Sequence, residues 1–204
     1  MSPVDSVSID RLGNIYGVTS SGGSQACRYE GCGVVYQLAP PKKGARSWKY
    51  TELHVFEGQS RGDGAVPNGG LLVTRGGTLY GTTTTGGDAN AQCPYVYDDL
   101  EGCGTVFKLS PEKSGKWKYE ILYSFQNPQD GTYPNTRLVI DQKGVLYGTT
   151  QGGGLRLSDG VNCMLNAPGC GTVFKLAPPA KGGGVGPRPP FTCSTARRGC
   201  GPMA

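Results

Sequence analysis

The chain has 204 residues, 35 of them glycine and 15 proline, with 36% hydrophobic residues, 17% charged residues and a formal charge of +5. That length suits one large domain or two small ones, and the basic residues gather on no predictable face, which gives nucleic-acid binding little support. No apolar run reaches the roughly 20 residues of a membrane-spanning helix, and no signal peptide opens the sequence.

Taken in order, the chain opens inside a repeat. Pro3, Asp10, Gly13 and Tyr16 match Pro134, Asp141, Gly144 and Tyr147. Ile15-Tyr16-Gly17-Val18-Thr19 and Gly31-Cys32-Gly33-Val34-Val35-Tyr36-Gln37-Leu38 form the first copy of a module. It returns as Leu79-Tyr80-Gly81-Thr82-Thr83 with Gly102-Cys103-Gly104-Thr105-Val106-Phe107-Lys108-Leu109, and again as Leu146–Thr150 with Gly169–Leu176. The second and third copies align without a gap from Pro67/Pro134 to Pro111/Pro178, at an offset of 67. The expected units are therefore 1–66, 67–133 and a truncated 134–180, followed by a tail over 181–204.

Each unit is expected to hold four short strands, in the second Gly70–Val73, Thr78–Thr83, Gly104–Leu109 and Tyr119–Phe125. Alternation puts Thr105, Phe107 and Leu109 on one face and Val106 and Lys108 on the other, while Ile121, Tyr123 and Phe125 share a face. Arg75-Gly76-Gly77, Lys113-Ser114-Gly115 and Asp130-Gly131 read as turns, and helical periodicity is absent. Four antiparallel strands at a fixed spacing predict an all-β fold of β-propeller-like tandem repeats, incomplete at about three blades.

Cysteines fall in the loop between the second and third strands of each unit: Cys27 with Cys32, Cys93 with Cys103, and Cys163 with Cys170. Cys193 and Cys200 lie in the tail. Zinc sites want consistent spacing and usually histidine, and His54 is the only histidine. The upstream cysteine slides: Cys93 aligns with Gly160, and Cys163 with Val96. A sliding partner favours disulfide staples over a metal cage or free thiols, each contributing roughly 2–3 kcal/mol in the loop-entropy picture. Disulfides imply an oxidising compartment, hence an extracellular or cell-surface location.

Leu-Tyr-Gly-Thr-Thr followed by Gly-Gly, then Gly-Thr-Val-Phe-Lys-Leu, Leu-Tyr-Ser-Phe and Asp-Gly-x-x-Pro resembles the GloVer tandem-repeat proteins over about residues 3–178. The resemblance implies a secreted or surface-anchored bacterial repeat protein with a propeller-like fold, and supplies no catalytic residues. The chain departs from the pattern in its few repeats and in the absence of a visible signal peptide or anchor, so a fragment of something longer is expected. After Leu176 the third copy has no counterpart of Trp48 and Trp117. Two readings of the tail stand side by side, a flexible natural tail and a frame-shifted one. Codons compatible with Pro190–Ser194 can spell Leu-His-Leu-Phe-Asn in another frame, which would make Cys193 and Cys200 accidental.

Candidate chemistry is sparse. Tyr16, Tyr80 and Tyr147 read as packing residues between blades rather than a ligand row, with Gly17, Gly81 and Gly148 placed where another backbone crowds close. Trp48 and Trp117 likewise read as packing. His54 aligns with Tyr123 and lacks the company a nucleophile needs. Gly152-Gly153-Gly154 precedes no phosphate-binding helix. Asp63-Gly64 and Asp130-Gly131 suit backbone capping better than Ca²⁺, and Arg61-Gly62-Asp63 carries no weight as an adhesion tripeptide. No catalytic residue, metal or cofactor is predicted.

The cysteine loops differ between copies, and variable loops on a repeated frame are where a binding surface is free to develop. Tyr29, Glu30, Tyr95, Tyr97, Asp98, Asp99 and Glu101 are the candidate binding residues, since tyrosine rings beside carboxylates suit sugar or peptide. The sequence thus points to a non-catalytic extracellular repeat module, alternatively a polysaccharide-binding protein or polysaccharide-acting enzyme using the cysteine-loop face. Expected partners are a glycan, a surface protein, or further copies through exposed blade faces, with no nucleic acid and no membrane span.

Overall fold

The computed structural model describes residues 2–27, 30–91, 93, 101–126, 129–154 and 171–178, and the backbone of 192–196. The chain forms three antiparallel sheets, none closed into a barrel. The first pairs β1 (Pro3–Ile9), β2 (Ile15–Thr19), β3 (Val34–Ala39) and β4 (Lys49–Val55) in chain order. The second contains β5 (Gly64–Pro67), β6 (Leu72–Val73), β7 (Leu79–Gly86), β8 (Thr105–Pro111) and β9 (Trp117–Ser124). The third contains β10 (Thr132–Pro134), β11 (Val139–Ile140), β12 (Leu146–Gly152), β13 (Thr172–Ala177) and β14 (Thr192–Ala196). Among the described residues there is no α-helix, only a 3-10 turn over Gln59–Arg61.

In the second and third sheets the opening strand is broken in two. β5 pairs with the far end of β7 and β6 with its start, and β10 and β11 divide β12 in the same way. β1 stays continuous, but its register against β2 shifts between Val4 and Ser8. The sequence pattern did not reveal β5 and β10. Their residues follow Asp63 and Asp130, and each Asp-Gly reads locally as a turn, whereas the strand is stabilised by pairing to a segment some 20 residues away.

Local chemistry accounts for the tight turns. Asp10 accepts hydrogen bonds from the backbone N–H groups of Leu12 and Asn14 and from the Tyr16 hydroxyl. Asp141 does the same for Lys143, Val145 and Tyr147. In the second sheet Thr74 substitutes, its hydroxyl accepting from the Thr78 N–H. The recurring Asp-x-x-Gly-x-x-Tyr is thus a carboxylate-capped hairpin turn whose tyrosine hydroxyl is tied to the cap.

One predicted face is corrected by a bulge. Val106 pairs with Tyr123 while Phe107 pairs with Ile121, which leaves Leu122 as the extra residue. Paired residues share a face, so Ile121 and Tyr123 lie on opposite sides and the expected Ile121–Tyr123–Phe125 row does not exist. The first sheet has the same irregularity at Leu53, between the Val35–His54 and Tyr36–Glu52 pairs. A bulge breaks the period of two on which the face assignment relied.

The sheets stack through two apolar cores. Tyr16, Val18, Val35 and Phe56 from the first sheet meet Leu79, Phe107 and Leu109 from the second, with Trp117 and Tyr119 against them. Val106, Leu122 and Phe125 on the other side of the second sheet meet Leu146, Phe174 and Leu176 of the third, with Tyr80 alongside. The expected alternation along β8 is observed, with Phe107 and Leu109 facing the first sheet and Val106 facing the third. Tyr16 is buried and packs edge-on against Trp117. Trp48 departs from expectation: no described sheet covers its face, and it is exposed.

The reason for Gly81 and Gly148 also differs from expectation. A Cβ on Gly81 would lie 2.5 Å from the Phe107 ring, and one on Gly148 2.5 Å from Phe174. An aromatic ring from the paired strand lies over each glycine, rather than a second backbone. Gly17 lies under Tyr36 in the same way.

β14 pairs with β13 from Val173↔Ala196 to Ala177↔Thr192. It occupies the place that β4 and β9 hold in their sheets. The rest of the 181–204 segment, including Cys200, lies outside the described residues, as does the side chain of Cys193.

Candidate functional site

The two ends of each sheet carry different chemistry. β2, β7 and β12 start at a tight hairpin turn and finish at the cysteine loop. At the cysteine end, disulfides join Cys27 to Cys32 and Cys93 to Cys103, with Cα separations of 5.1 and 5.3 Å. Two of the three expected staples are therefore present. The third, between Cys163 and Cys170, is not among the disulfides of the described residues, because Cys163 and Cys170 both lie outside them. Cys32 and Cys103 are fully buried because each sits at the joint with the following sheet.

That joint is the same twice. The Cys32 carbonyl accepts a hydrogen bond from the Val66 N–H at 2.9 Å, and the Cys103 carbonyl from the Tyr133 N–H at 3.0 Å. Val66 and Tyr133 are the two non-glycine residues with positive φ among those described, at 55° and 58°. A left-handed β-branched or bulky residue persists only where its surroundings over-determine it. The proline that follows completes the fit: a Cβ on Gly33 would meet Pro67, and one on Gly104 would meet Pro134 at 2.6 Å. Gly-Cys-Gly is thus a docking seat for the next sheet's opening strand.

Of the predicted binding residues, Glu30 and Glu101 are described. Both are exposed, and both occupy the position just before Gly-Cys-Gly. Their backbone carbonyls accept the N–H groups of Gly22 and Gly86, respectively. This holds the two residues at equivalent backbone positions on the rim of the cysteine-loop end. Tyr29, Tyr95, Tyr97, Asp98 and Asp99 lie outside the described residues.

A polar cluster sits where the first two sheets meet. Asp63 Oδ1 accepts from the Gly64 N–H (2.7 Å) and the Tyr119 hydroxyl (2.7 Å). Its Oδ2 accepts from the Glu57 N–H (3.0 Å) and lies 3.0 Å from His54 Nε2. Burial works against ionisation of Asp63, but His54, Tyr119 and the Glu57 N–H outweigh it and hold the carboxyl below its ordinary pKa. Burial, then the charge and hydrogen bond of Asp63, push the Tyr119 phenol well up. The His54 ring stacks on Tyr119 at 3.6 Å between centroids, and Phe56 closes the edge. Both oxygens of Asp63 are taken up by the protein's own groups, so the cluster works as a clamp between sheets. Asp130 repeats part of it, accepting from the Tyr123 hydroxyl at 2.6 Å and from the Gln126 N–H.

Sequence reasoning missed a groove at the hairpin-turn end. About 530 Å³ in volume, it runs between the β1–β2 turn and the β6–β7 turn, lined by Asp10, Arg11, Asn14, Tyr16, Gln37, Arg75 and Trp117 among others. Gln37 donates to the Tyr16 hydroxyl, which donates in turn to Asp10. Burial, then the bond to Asp10, push the Tyr16 phenol up to about 12. Hydrogen bonds from Asn14, Tyr16 and Leu12 outweigh burial at Asp10 and keep it below its ordinary pKa. An indole ring, a carboxylate, amides and two guanidinium groups therefore share one cleft. No local motif marks it, because its two walls come from turns more than 60 residues apart. Among the described residues no cluster of histidine, cysteine, aspartate or glutamate is arranged to hold a metal ion, and no helix is long and apolar enough to cross a membrane.

A family model described as the Gloeobacter/Verrucomicrobia repeat matches residues 1–185. No curated protein and no solved structure matches the chain.

Proposed function

The chain belongs to the Gloeobacter/Verrucomicrobia repeat family, and we propose that it acts as a non-catalytic repeat scaffold that presents binding surfaces in an oxidising, extracellular setting. The three sheets are read as propeller-like blades. In support, the opening strands converge: the Ser8 hydroxyl donates to the Leu71 carbonyl, and Arg137 Nη2 lies 3.1 Å from the same Ser8 oxygen. Ser8 lies in β1, Leu71 directly before β6 and Arg137 between β10 and β11, so the opening segments of all three sheets come together here, as they would around a common axis. Under this reading the units of about 67 residues are one blade each, with the opening strand shared across each boundary.

The observation that carries the scaffold reading is the fate of the polar residues. Asp10, Asp63 and Asp141 cap turns and clamp sheets, and His54 is stacked on Tyr119 with Phe56 edge-on to it. The groups best suited to acid–base chemistry are thus engaged in holding the frame. The two disulfides favour an oxidising location. The test is a screen of the oxidised chain against polysaccharide, ester and peptide substrates. Turnover that disappears in a point variant of one side chain would refute the scaffold reading.

A second reading, glycan binding, is favoured by the groove. An aromatic face beside planar amides, a carboxylate and guanidinium groups is the kind of surface that takes a sugar's C–H face and hydroxyls. The cysteine-loop rim, with Glu30 and Glu101, is the other place on which a glycan or surface protein would act. A glycan array distinguishes them. Binding lost in Trp117→Ala assigns the groove, binding lost in Glu30→Ala/Glu101→Ala assigns the rim, and no binding rejects the glycan reading.

A further inference from the structure

We propose that the two sheet faces of this chain that no described sheet covers are the two halves of one interface, and that a second copy of the chain docks on them head to tail. The inference rests on the sheet-on-sheet contact that the chain makes twice with itself, and not on whether the frame binds glycan.

Each sheet has a forward face and a backward face, defined by the repeat. Tyr16, Val18 and Val35 form the forward face of the first sheet, and the second sheet covers them. Tyr80, Thr82 and Val106 are the equivalents in the second, covered by the third. Tyr147, Thr149 and Val173 are the equivalents in the third, where no described sheet lies over them. The difference is large at one position: Val106 is 0% exposed and Val173 is 42% exposed. Val139 on the same sheet is 61% exposed. A framework side chain that two copies of the repeat bury is thus left in water by the third.

The first sheet shows the complementary gap. Val73, Phe107, Leu109 and Trp117 form the backward face of the second sheet and pack against the first. Their equivalents are Ile9, Tyr36, Leu38 and Trp48. Ile9 is 64% and Trp48 48% exposed, and Tyr36 stacks on the exposed Tyr50. Apolar rows of this size on a sheet face call for a partner.

The open forward face therefore has the residue types that this fold places against the open backward face. In the docked pair, Tyr147 of one copy meets Trp48 of the next, as Tyr16 meets Trp117 at 6.1 Å within the chain. Pro3 of the second copy settles over Gly171 of the first, as Pro67 does over Gly33 and Pro134 over Gly104. The two patches differ, so the contact is heterologous, and it builds a closed ring or an open filament according to whether the rotation closes.

The test is the mass of the oxidised full chain in solution, measured by light scattering and sedimentation velocity over a concentration series. The expected result is concentration-dependent association of the wild type. Val173→Lys spoils the forward face and Trp48→Glu the backward face, and each alone is expected to be monomeric. Mixed together, they retain one good pair of faces and are expected to form a 1:1 dimer. A self-complementary patch would not produce that rescue. A monomeric wild type, or association that survives both single substitutions, or two folded variants that fail to pair on mixing, would each overturn the proposal. Should Trp48→Glu fail to fold, Ile9→Lys tests the same face.

Discussion

Replacing Asp63 by asparagine isolates the clamp between the first two sheets, because shape and size barely change. Each carboxylate oxygen receives one backbone donor and one side-chain group: Gly64 N–H with the Tyr119 hydroxyl, and Glu57 N–H with His54. An asparagine amide offers one acceptor oxygen and one donor nitrogen. The Tyr119 hydroxyl can rotate, and the His54 ring can change tautomer, to accept from that nitrogen. A backbone N–H cannot reverse, so whichever way the amide is turned, either Gly64 or Glu57 is left with a buried, unmatched donor. Orphaning one donor and replacing charged acceptors by a neutral one costs about 2–4 kcal/mol. For a chain of this size that corresponds to a melting temperature lower by about 5–12 °C. Thermal unfolding of both proteins, followed by circular dichroism at neutral pH, measures it. The acid limb supplies a second readout. The folded pKa of Asp63 is depressed, so its contribution is present above the unfolded value of about 3.9 and is lost as pH falls through the folded value. The gap between wild type and Asp63→Asn should therefore narrow below about pH 4. An unchanged melting temperature at neutral pH, or a gap that stays constant into acid, would refute this account.

Reduction of the oxidised chain should lower its melting temperature, each described disulfide contributing roughly 2–3 kcal/mol through the short loop it closes; an unchanged melt after quantitative thiol release would contradict the staple role. Gly104→Ala should destabilise strongly, because φ is +94° and the new Cβ meets Pro134 at 2.6 Å, whereas Gly76→Ala, with nothing within 4 Å, should be near neutral. Equal melts for the two would dismiss Gly-Cys-Gly as the docking seat. Phe107→Ala should cost about 3–5 kcal/mol by opening a cavity between Phe56, Tyr119 and Gly81. Gly81→Ala should also destabilise, and adding Phe107→Leu should recover part of the loss, since it is that ring which crowds the new methyl; urea titration of the single and double variants reads the coupling.

The periodic order of the chain, its strand content, the alternation along β8 and the pairing of Cys27 with Cys32 and Cys93 with Cys103 were legible in the residues alone. Each of these depends on neighbours a few positions apart, or on a motif that returns at a constant interval. The face of Tyr123 was not legible, because a single extra residue at Leu122 reverses the pleat and leaves no mark in composition. Nor was the left-handed backbone of Val66 and Tyr133, which a carbonyl on the preceding sheet imposes on residues with no preference for it. Asp63 reads as a turn residue in sequence, and only folding brings Tyr119, 56 positions away, onto its Oδ1. The groove and the open faces belong to the same class. They arise from surfaces that stacking brings together or leaves uncovered, and hydrophobic periodicity states that a face is apolar without stating what will cover it.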